Sequence, residues 1–223
     1  MPYTAILFDI DGTLVDSNDY HVLAWDRPFR EAGHDFNRKT LHDQVGKGSD
    51  NYVPSLLPGI SDAEAERLGD AHGRIYKQDY LSAVRPFPGA RELLRRCKDE
   101  GMKVALASSA SGPELQHYLT LLDCKDVIDG YTSADDVGCS KPCPDIFEAA
   151  REKLGVPAPE ALVIGDTPYD IQAACRAGMQ AIAVRSGGFS DPALQGAIAI
   201  YDDVAALLAR FDASPLSRIE EAV

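Results

Sequence analysis

Apolar residues in this chain gather into short unbroken runs that end abruptly in polar side chains. Ala5-Ile6-Leu7-Phe8 stops at Asp9, Lys103 to Ser109 ends in two hydroxyls, Ala161 to Gly165 stops at Asp166, and a further run spans Gln180 to Arg185. Runs of this length without polar alternation predict strands covered on both faces. Between them the period changes to that of helices. Ala90 to Glu100 stops at Gly101, and Pro113 to Leu122 precedes a short strand near Ile128 to Thr132. Asp145 to Leu154 is closed by Gly155, and Tyr169 to Ala177 by Gly178. A last helix is expected from about Asp203 to Phe211, and Pro215 to Val223 reads as a loose tail. Alternation of this kind predicts an α/β fold, a mostly parallel sheet with helices on both faces. The first strand, remote from the others in sequence, suits a central position.

Residues 16–84 break the alternation. Tyr20 to Ala32 places Val22, Leu23, Trp25 and Phe29 at helical spacing before Gly33, with Trp25 read as core. Ser61-Asp62-Ala63-Glu64 is a helix start with acidic residues in its first turn, leading toward Tyr80. No strand pattern of any length intervenes, so a small helical domain is expected over 16–84, inserted into a core of residues 1–15 and 85–223. The return segment Arg85-Pro86-Phe87-Pro88-Gly89 has the stiffness of a hinge.

Composition narrows the partners. The 223 residues are 45% hydrophobic and 26% charged, which is ordinary for a globular protein. No apolar run approaches the ~20 residues of a membrane span, and no signal-peptide pattern precedes the first strand. A net charge of −13 argues against nucleic acid or acidic membranes as partners. Any phosphate site must be built locally, from a cation, a lysine and backbone N–H groups. The five cysteines (Cys97, Cys124, Cys139, Cys143, Cys175) form no C-x-x-C pair. Cys139 and Cys143 flank Lys141 with no histidine nearby for a zinc site, so reduced thiols and a cytoplasmic location are expected.

The candidate chemistry begins at the end of the first strand. Asp9 and Asp11 lie one residue apart before Gly12 and Thr13, where open α/β sheets bind ligands. Residues at i and i+2 share a strand face, so both carboxylates can address one centre if the strand persists or Gly12 bends the chain around it. Two close carboxylates repel, which calls for a shared proton or a cation between them. The same residues also describe a polar turn, and the wider series of strand ends weighs against that reading. The series continues with Ser108 and Ser109, then Ser140-Lys141-Pro142 read as a cation opening a helix, then Gly165-Asp166-Thr167-Pro168-Tyr169-Asp170.

Taken in order, these four segments resemble the motifs of the haloacid dehalogenase-like superfamily, over nearly the whole chain. The branch resembled is that of phosphoglycolate phosphatases and beta-phosphoglucomutases. The resemblance implies a Rossmann-like core, three layers α/β/α, with a helical cap domain inserted after the first strand. It also implies Asp9 as nucleophile, Asp11 as general acid/base, and Ser108, Ser109 and Lys141 as phosphate ligands. Mg²⁺ would be held by Asp9, the Asp11 backbone carbonyl and Asp166, with Asp170 orienting a metal-bound water or Lys141; helix capping would also account for Asp170. In the cap, His21 and the loop Gly46-Lys47-Gly48-Ser49-Asp50 would read the substrate, with Lys47 meeting an anion. The implied activity is hydrolysis of a small phosphorylated metabolite through an aspartyl-phosphate. A sugar phosphomutase is the main alternative, although Gly165-Asp166 lacks the Glu-Asp pair of the mutases and Ser49 and Asp50 stand where they carry an arginine. A catalytically silent binding member is a second, weakened by the presence of both Asp9 and Asp11. Monomer and homodimer are equally compatible with the sequence.

Overall fold

The structure, a computed structural model, describes residues 3–217. Its main body is a six-stranded sheet built from β1 (Ala5–Phe8), β4 (Lys103–Ala107), β5 (Gly130–Thr132), β6 (Ala161–Gly165), β7 (Gln180–Val184) and β8 (Ala199–Tyr201). The spatial order is β5-β4-β1-β6-β7-β8, and every pair is parallel. β1 is central as expected, with Phe8 registered beside Leu106 on one side and Ile164 on the other.

Side-chain alternation along these strands sorts large from small residues. Ile6, Phe8, Val104, Leu106, Leu162, Ile164, Ile182 and Val184 enter one apolar cluster with α5 (Ala90–Asp99), α6 (Gly112–Leu121) and α9 (Val204–Ala209). The opposite face carries Ala5, Leu7, Ala105, Ala107, Ala161, Val163, Ala181 and Ala183, and is covered by α7 (Asp145–Leu154) and α8 (Pro168–Arg176). Small side chains on that face let α7 and α8 approach closely, and the large ones opposite fill a thicker layer. Burying each Leu, Ile or Val there contributes ~1.5–3 kcal/mol.

Between β1 and β4 the chain forms α1 (Asn18–Glu31), α2 (Arg38–His42), α3 (Ser49–Leu56) and α4 (Asp62–Ile75), the last widening into a π turn over Tyr76–Tyr80. These helices share a separate cluster of Val22, Trp25, Phe29, Leu41, Val45, Tyr52, Val53, Ala65 and Leu68. Trp25 is core here, stacked on Tyr52 at 4.2 Å. Ala24, Ile75 and Tyr76 instead face the main body's apolar cluster. Where the chain leaves and re-enters the main body, β2 (Val15–Asp16) pairs antiparallel with β3 (Arg85–Pro86).

Several expectations need correction. Cys139 and Cys143 are joined by a disulfide, whereas Cys97, Cys124 and Cys175 are free. The expectation of reduced thiols therefore fails for the pair that flanks Lys141, because a tight turn over 139–143 brings their Cα atoms to 5.8 Å. Lys141 lies in that turn, and the following helix opens only at Asp145. A strand not expected from the sequence is β8, where Ala199–Tyr201 pairs parallel with β7 at the sheet edge. The tail is partly anchored, since Leu216 is buried in the main cluster, and residues 218–223 lie outside the described residues. Among the described residues, no helix is long and apolar enough to cross a membrane.

Candidate active site

The carboxyl ends of β1, β4 and β6 converge beneath α1 and the segment between α2 and α3. Asp9 follows the last residue of β1, and its N–H is held by the Ile164 carbonyl at 2.9 Å. Gly12, at φ +77°, then turns the chain so that Asp11 also faces the cavity above. Both carboxylates thus reach one space, through the bend rather than through a continued strand. That cavity holds about 360 Å³ and is lined by both aspartates, Ser109, Lys47, His21 and Tyr52 among others.

Below it lies a fully buried charge cluster. Oxygens of Asp9, Asp166 and Asp170 lie within 4.8 Å of one another. The ammonium of Lys141, 1% exposed, pairs with Asp9 Oδ1 and with Asp170 Oδ1, the latter at 2.7 Å. Thr13 Oγ1 lies 3.2 Å from Asp9 Oδ2 and 3.0 Å from Asp166 Oδ1, and Asn18 Nδ2 donates to Asp166 Oδ2 at 2.8 Å. Asp170 combines two tasks: Oδ1 meets Lys141, while Oδ2 accepts from Thr167 N and Oγ1 at 3.0 and 2.6 Å, closing a capping box at the start of α8. The capping reading and the lysine-orienting reading of Asp170 therefore coexist.

Three carboxylates face one ammonium, and burial makes the surplus charge costly. Burial pushes the Asp9 carboxyl up to about 7 against the pull of Lys141, with Asp170 and Asp11 adding to the rise. Burial also drives Asp166 well above the usual carboxylate range, reinforced by Asp9 and Asp170. For Lys141 burial works against the charge, but Asp170 and Asp9 outweigh it and hold the ammonium above its ordinary value. An all-oxygen donor set with excess negative charge fits a hard divalent cation such as Mg²⁺. The backbone is shaped to leave room: a Cβ on Gly187 or on Gly12 would overlap the Asp166 carboxylate.

Asp11 has a different environment from Asp9. Its Oδ1 accepts from Ser17 Oγ at 2.6 Å and Tyr118 OH at 2.6 Å, and lies 3.1 Å from His21 Nε2. Burial alone would raise this carboxyl, but His21, Ser17 and Tyr118 outweigh it and hold it below its ordinary value. His21 Nδ1 lies 3.3 Å from His72 Nε2, and its ring stacks on Tyr76 at 3.9 Å. Burial keeps His72 well below its ordinary pKa, so it stays neutral.

The remaining expected residues fall into place unevenly. Ser109 lines the cavity; Ser108 is buried beneath it, its Oγ accepting from Ala110 N at 3.0 Å. His21 touches Asp11 as well as the cavity. Lys47 lines the cavity, but its ammonium is engaged by Gln44 Oε1 at 2.6 Å and Ser55 Oγ at 2.8 Å and sits over the Tyr169 ring. Gly48 N–H donates to Ser140 Oγ at 3.0 Å, and Asp50 Oδ2 accepts from Ser140 N at 2.9 Å. This loop thus clasps the turn that carries Lys141. Thr13, Asn18, Ser17, His72, Tyr76 and Tyr118 were not singled out from sequence. Only Thr13 had a local signal, its place after Asp-Gly; Ser17 directly precedes α1, and the others lie in helices whose pattern marks them as surface or core.

Comparison with known proteins agrees with this architecture. Residues 6–184 match the profile described as haloacid dehalogenase-like hydrolase. The chain is 31% identical to the beta-phosphoglucomutase of Bacillus subtilis over 194 residues, covering 82% of this chain and 84% of that one. It is 30% identical to the phosphoglycolate phosphatase of Aquifex aeolicus over 174 residues, covering 78% and 80%. A solved hydrolase from Pseudomonas syringae superposes with a TM-score of 0.87 at 33% identity, covering 94% of this chain and 98% of that one. A further relative, 34% identical over 188 residues, is much longer, and the chain spans 18% of it.

Proposed function

Because the chain belongs to the haloacid dehalogenase-like hydrolase family, we propose that it is a Mg²⁺-dependent phosphomonoesterase acting on a small phosphorylated metabolite. One observation carries the reading: Asp9 and Asp11 open onto a single cavity, and Asp9 alone is paired with a buried lysine beside two further buried carboxylates.

Asp9 is the nucleophile. Its carboxylate oxygen forms a bond to phosphorus as the ester P–O bond breaks; Asp11, ionised at rest, takes up the proton of the phosphomonoester monoanion and gives it to the leaving alkoxide. Water then attacks the aspartyl-phosphate, Asp11 accepts its proton, and inorganic phosphate departs. Lys141 offsets charge shared by the nucleophile and the phosphoryl oxygens, with Asp170 orienting the ammonium. Ser109 and backbone N–H groups at the end of β4 donate to the phosphoryl oxygens, and Ser108 supports that turn. Mg²⁺ would be held by Asp9, Asp166 and the Asp11 carbonyl, and would supply positive charge to the transferring group.

Residues 16–84 act as a cap over a core formed by 1–15 and 85–223. The paired β2 and β3 join the two, and the Gly46–Asp50 loop seats the cap on the Lys141 turn. A closed cap leaves room for a small substrate only. The mutase reading needs a cationic group for a second phosphate. Among the described residues lining the cavity there is no arginine, and the Lys47 ammonium is already engaged, which leaves Lys77 as a second cavity lysine. Hydrolysis is the better reading because Gly165-Asp166 lacks the Glu-Asp pair of the mutases. The test is turnover of an aryl phosphate with Mg²⁺ and with chelator, followed by a metabolite screen scored for free phosphate and for isomerised product. Full activity in chelator would refute the metal-dependent mechanism, and isomerised product without free phosphate would restore the mutase.

A further inference from the structure

Two tyrosines lie end to end behind Asp11. Tyr118, on α6 of the main body, donates its phenol to Asp11 Oδ1 at 2.6 Å. Tyr76, where α4 widens into the π turn, lies with its hydroxyl 2.6 Å from that of Tyr118. Each phenol carries one proton. Since that of Tyr118 is given to Asp11, the proton between the two tyrosines must come from Tyr76, and the chain runs Tyr76 to Tyr118 to Asp11. Both side chains are 0% exposed. Phenylalanine would fill either position without burying a hydroxyl, and the polar cost is offset here by this chain.

The arrangement acts on one oxygen of the carboxylate. Ser17, Tyr118 and His21 all converge on Oδ1, which leaves Oδ2 to address the cavity. Tyr76 supports two of the three contacts, since its hydroxyl feeds Tyr118 and its ring stacks on His21 at 3.9 Å and 11°. It belongs to the helical segment, whereas Tyr118 and Asp11 belong to the main body. The contact therefore ties the carboxylate's orientation to the seating of one body on the other.

The geometry points to Tyr118, backed by Tyr76, as a positioning residue that pins Asp11 Oδ1 and so presents Oδ2 to the leaving group and the attacking water. The inference rests on the acid/base role proposed above for Asp11. A hydrogen bond from a neutral phenol to a carboxylate is of the stronger kind. Losing it misaligns proton transfer without touching the parts of the cavity that bind substrate.

The experiment uses the full chain with Mg²⁺ and p-nitrophenyl phosphate, whose leaving group departs without a proton. Four proteins are compared: wild type, Tyr118→Phe, Asp11→Ala and the double variant, with thermal unfolding as a check on the fold. Tyr118→Phe should lower kcat by about tenfold and KM along with it, so that kcat/KM for this substrate changes by less than about twofold. It should also show a burst of nitrophenolate close to one per enzyme, because only the water step still needs Asp11. In the Asp11→Ala background the same change should alter kcat by less than about twofold, since the residue acts through Asp11. An unchanged kcat in Tyr118→Phe, or an equal penalty with and without Asp11, overturns the inference. If Tyr118→Phe does not fold, Tyr76→Phe replaces it, with an expected loss of about threefold that vanishes in the Asp11→Ala background. An unchanged kcat in that variant overturns the inference as well. An inactive wild type would take down the phosphomonoesterase reading and this inference with it; an active wild type with insensitive tyrosines would take down the inference alone.

Discussion

Asp9 and Lys47 line the same cavity from opposite sides, and their surroundings differ in kind. Asp9 sits on the end of a central strand, 5% exposed, with its carboxylate held by Lys141 and Thr13 and crowded by Asp166 and Asp170. Lys47 sits on a loop between short helices, and its partners are Gln44 and Ser55 of the same segment together with the Tyr169 ring. The floor of the cavity is preassembled by strands that register with one another, so its charges stay apart from water and from local alternatives. The roof is assembled from loops, where a lysine satisfies itself nearby before any ligand arrives. Chemistry is therefore best sought in the floor, and tolerance of change in the roof.

The largest effect should come from the floor. Asp9→Asn keeps the shape of the side chain and removes the proposed nucleophile, so kcat on an aryl phosphate should fall by at least about a thousandfold. The unfolding temperature should not drop, because the amide relieves repulsion among the buried acids. A variant retaining wild-type turnover would remove the distinction between floor and roof at its strongest point.

Next comes the backbone that shapes the floor. Gly187→Ala places a methyl on the Asp166 carboxylate, and displacing that proposed ligand should raise the Mg²⁺ concentration for half-maximal activity by about tenfold. Measuring activity against Mg²⁺ checks it; an unchanged requirement would show that Asp166 does not hold the metal.

A smaller effect follows from the charge surplus. Burial raises the Asp9 carboxyl to about 7, above its unfolded value near 3.8. A raised carboxyl contributes stability that is complete below the unfolded value and is lost as pH rises through the folded one. Without metal, this group should therefore destabilise the fold progressively from about pH 4 to pH 8. Mg²⁺ ligation favours the ionised form, so the gain in unfolding temperature on adding Mg²⁺ should be larger at about pH 8 than at about pH 5. An equal gain at both values would show that these carboxylates do not titrate with metal binding.

The smallest effect belongs to the roof. Lys47→Ala removes an ammonium engaged by its own segment, so kcat/KM for an aryl phosphate should change by less than about threefold. The ratio of kcat/KM for the best metabolite to that for the aryl phosphate decides whether Lys47 leaves Gln44 and Ser55 to meet substrate. A drop of about tenfold or more would move Lys47 from support to recognition and narrow the contrast drawn above.

Much of this molecule follows from local pattern. The apolar runs at Ala5, Lys103, Ala161 and Gln180 specify strands because no other structure buries contiguous apolar residues between polar ends so compactly. Glycines at 101, 155 and 178 specify where helices stop. The positions of Asp9, Asp11 and Asp166 were enough to nominate a floor, because each follows a strand end and strand ends in a parallel sheet meet at one edge, whereas Lys141 was nominated only by its place in the family motif series. The family followed from the same residues.

Tertiary structure alone decided the partners. Cys139 and Cys143 join because the turn around Lys141 folds back on itself, which no spacing rule anticipates. Tyr118 reads as one more apolar position of α6, and Tyr76 as a position inside the helix that leads toward Tyr80; only the packing of the helical segment on the main body brings their hydroxyls into line behind Asp11. Lys47 is cast as an anion ligand by the family resemblance alone, yet nearby acceptors within hydrogen-bonding reach take its charge. Strands and helix ends depend on neighbours in sequence, which the chain itself encodes position by position. Which polar group answers which depends on distances across the fold, and these are settled only when the two bodies are packed together.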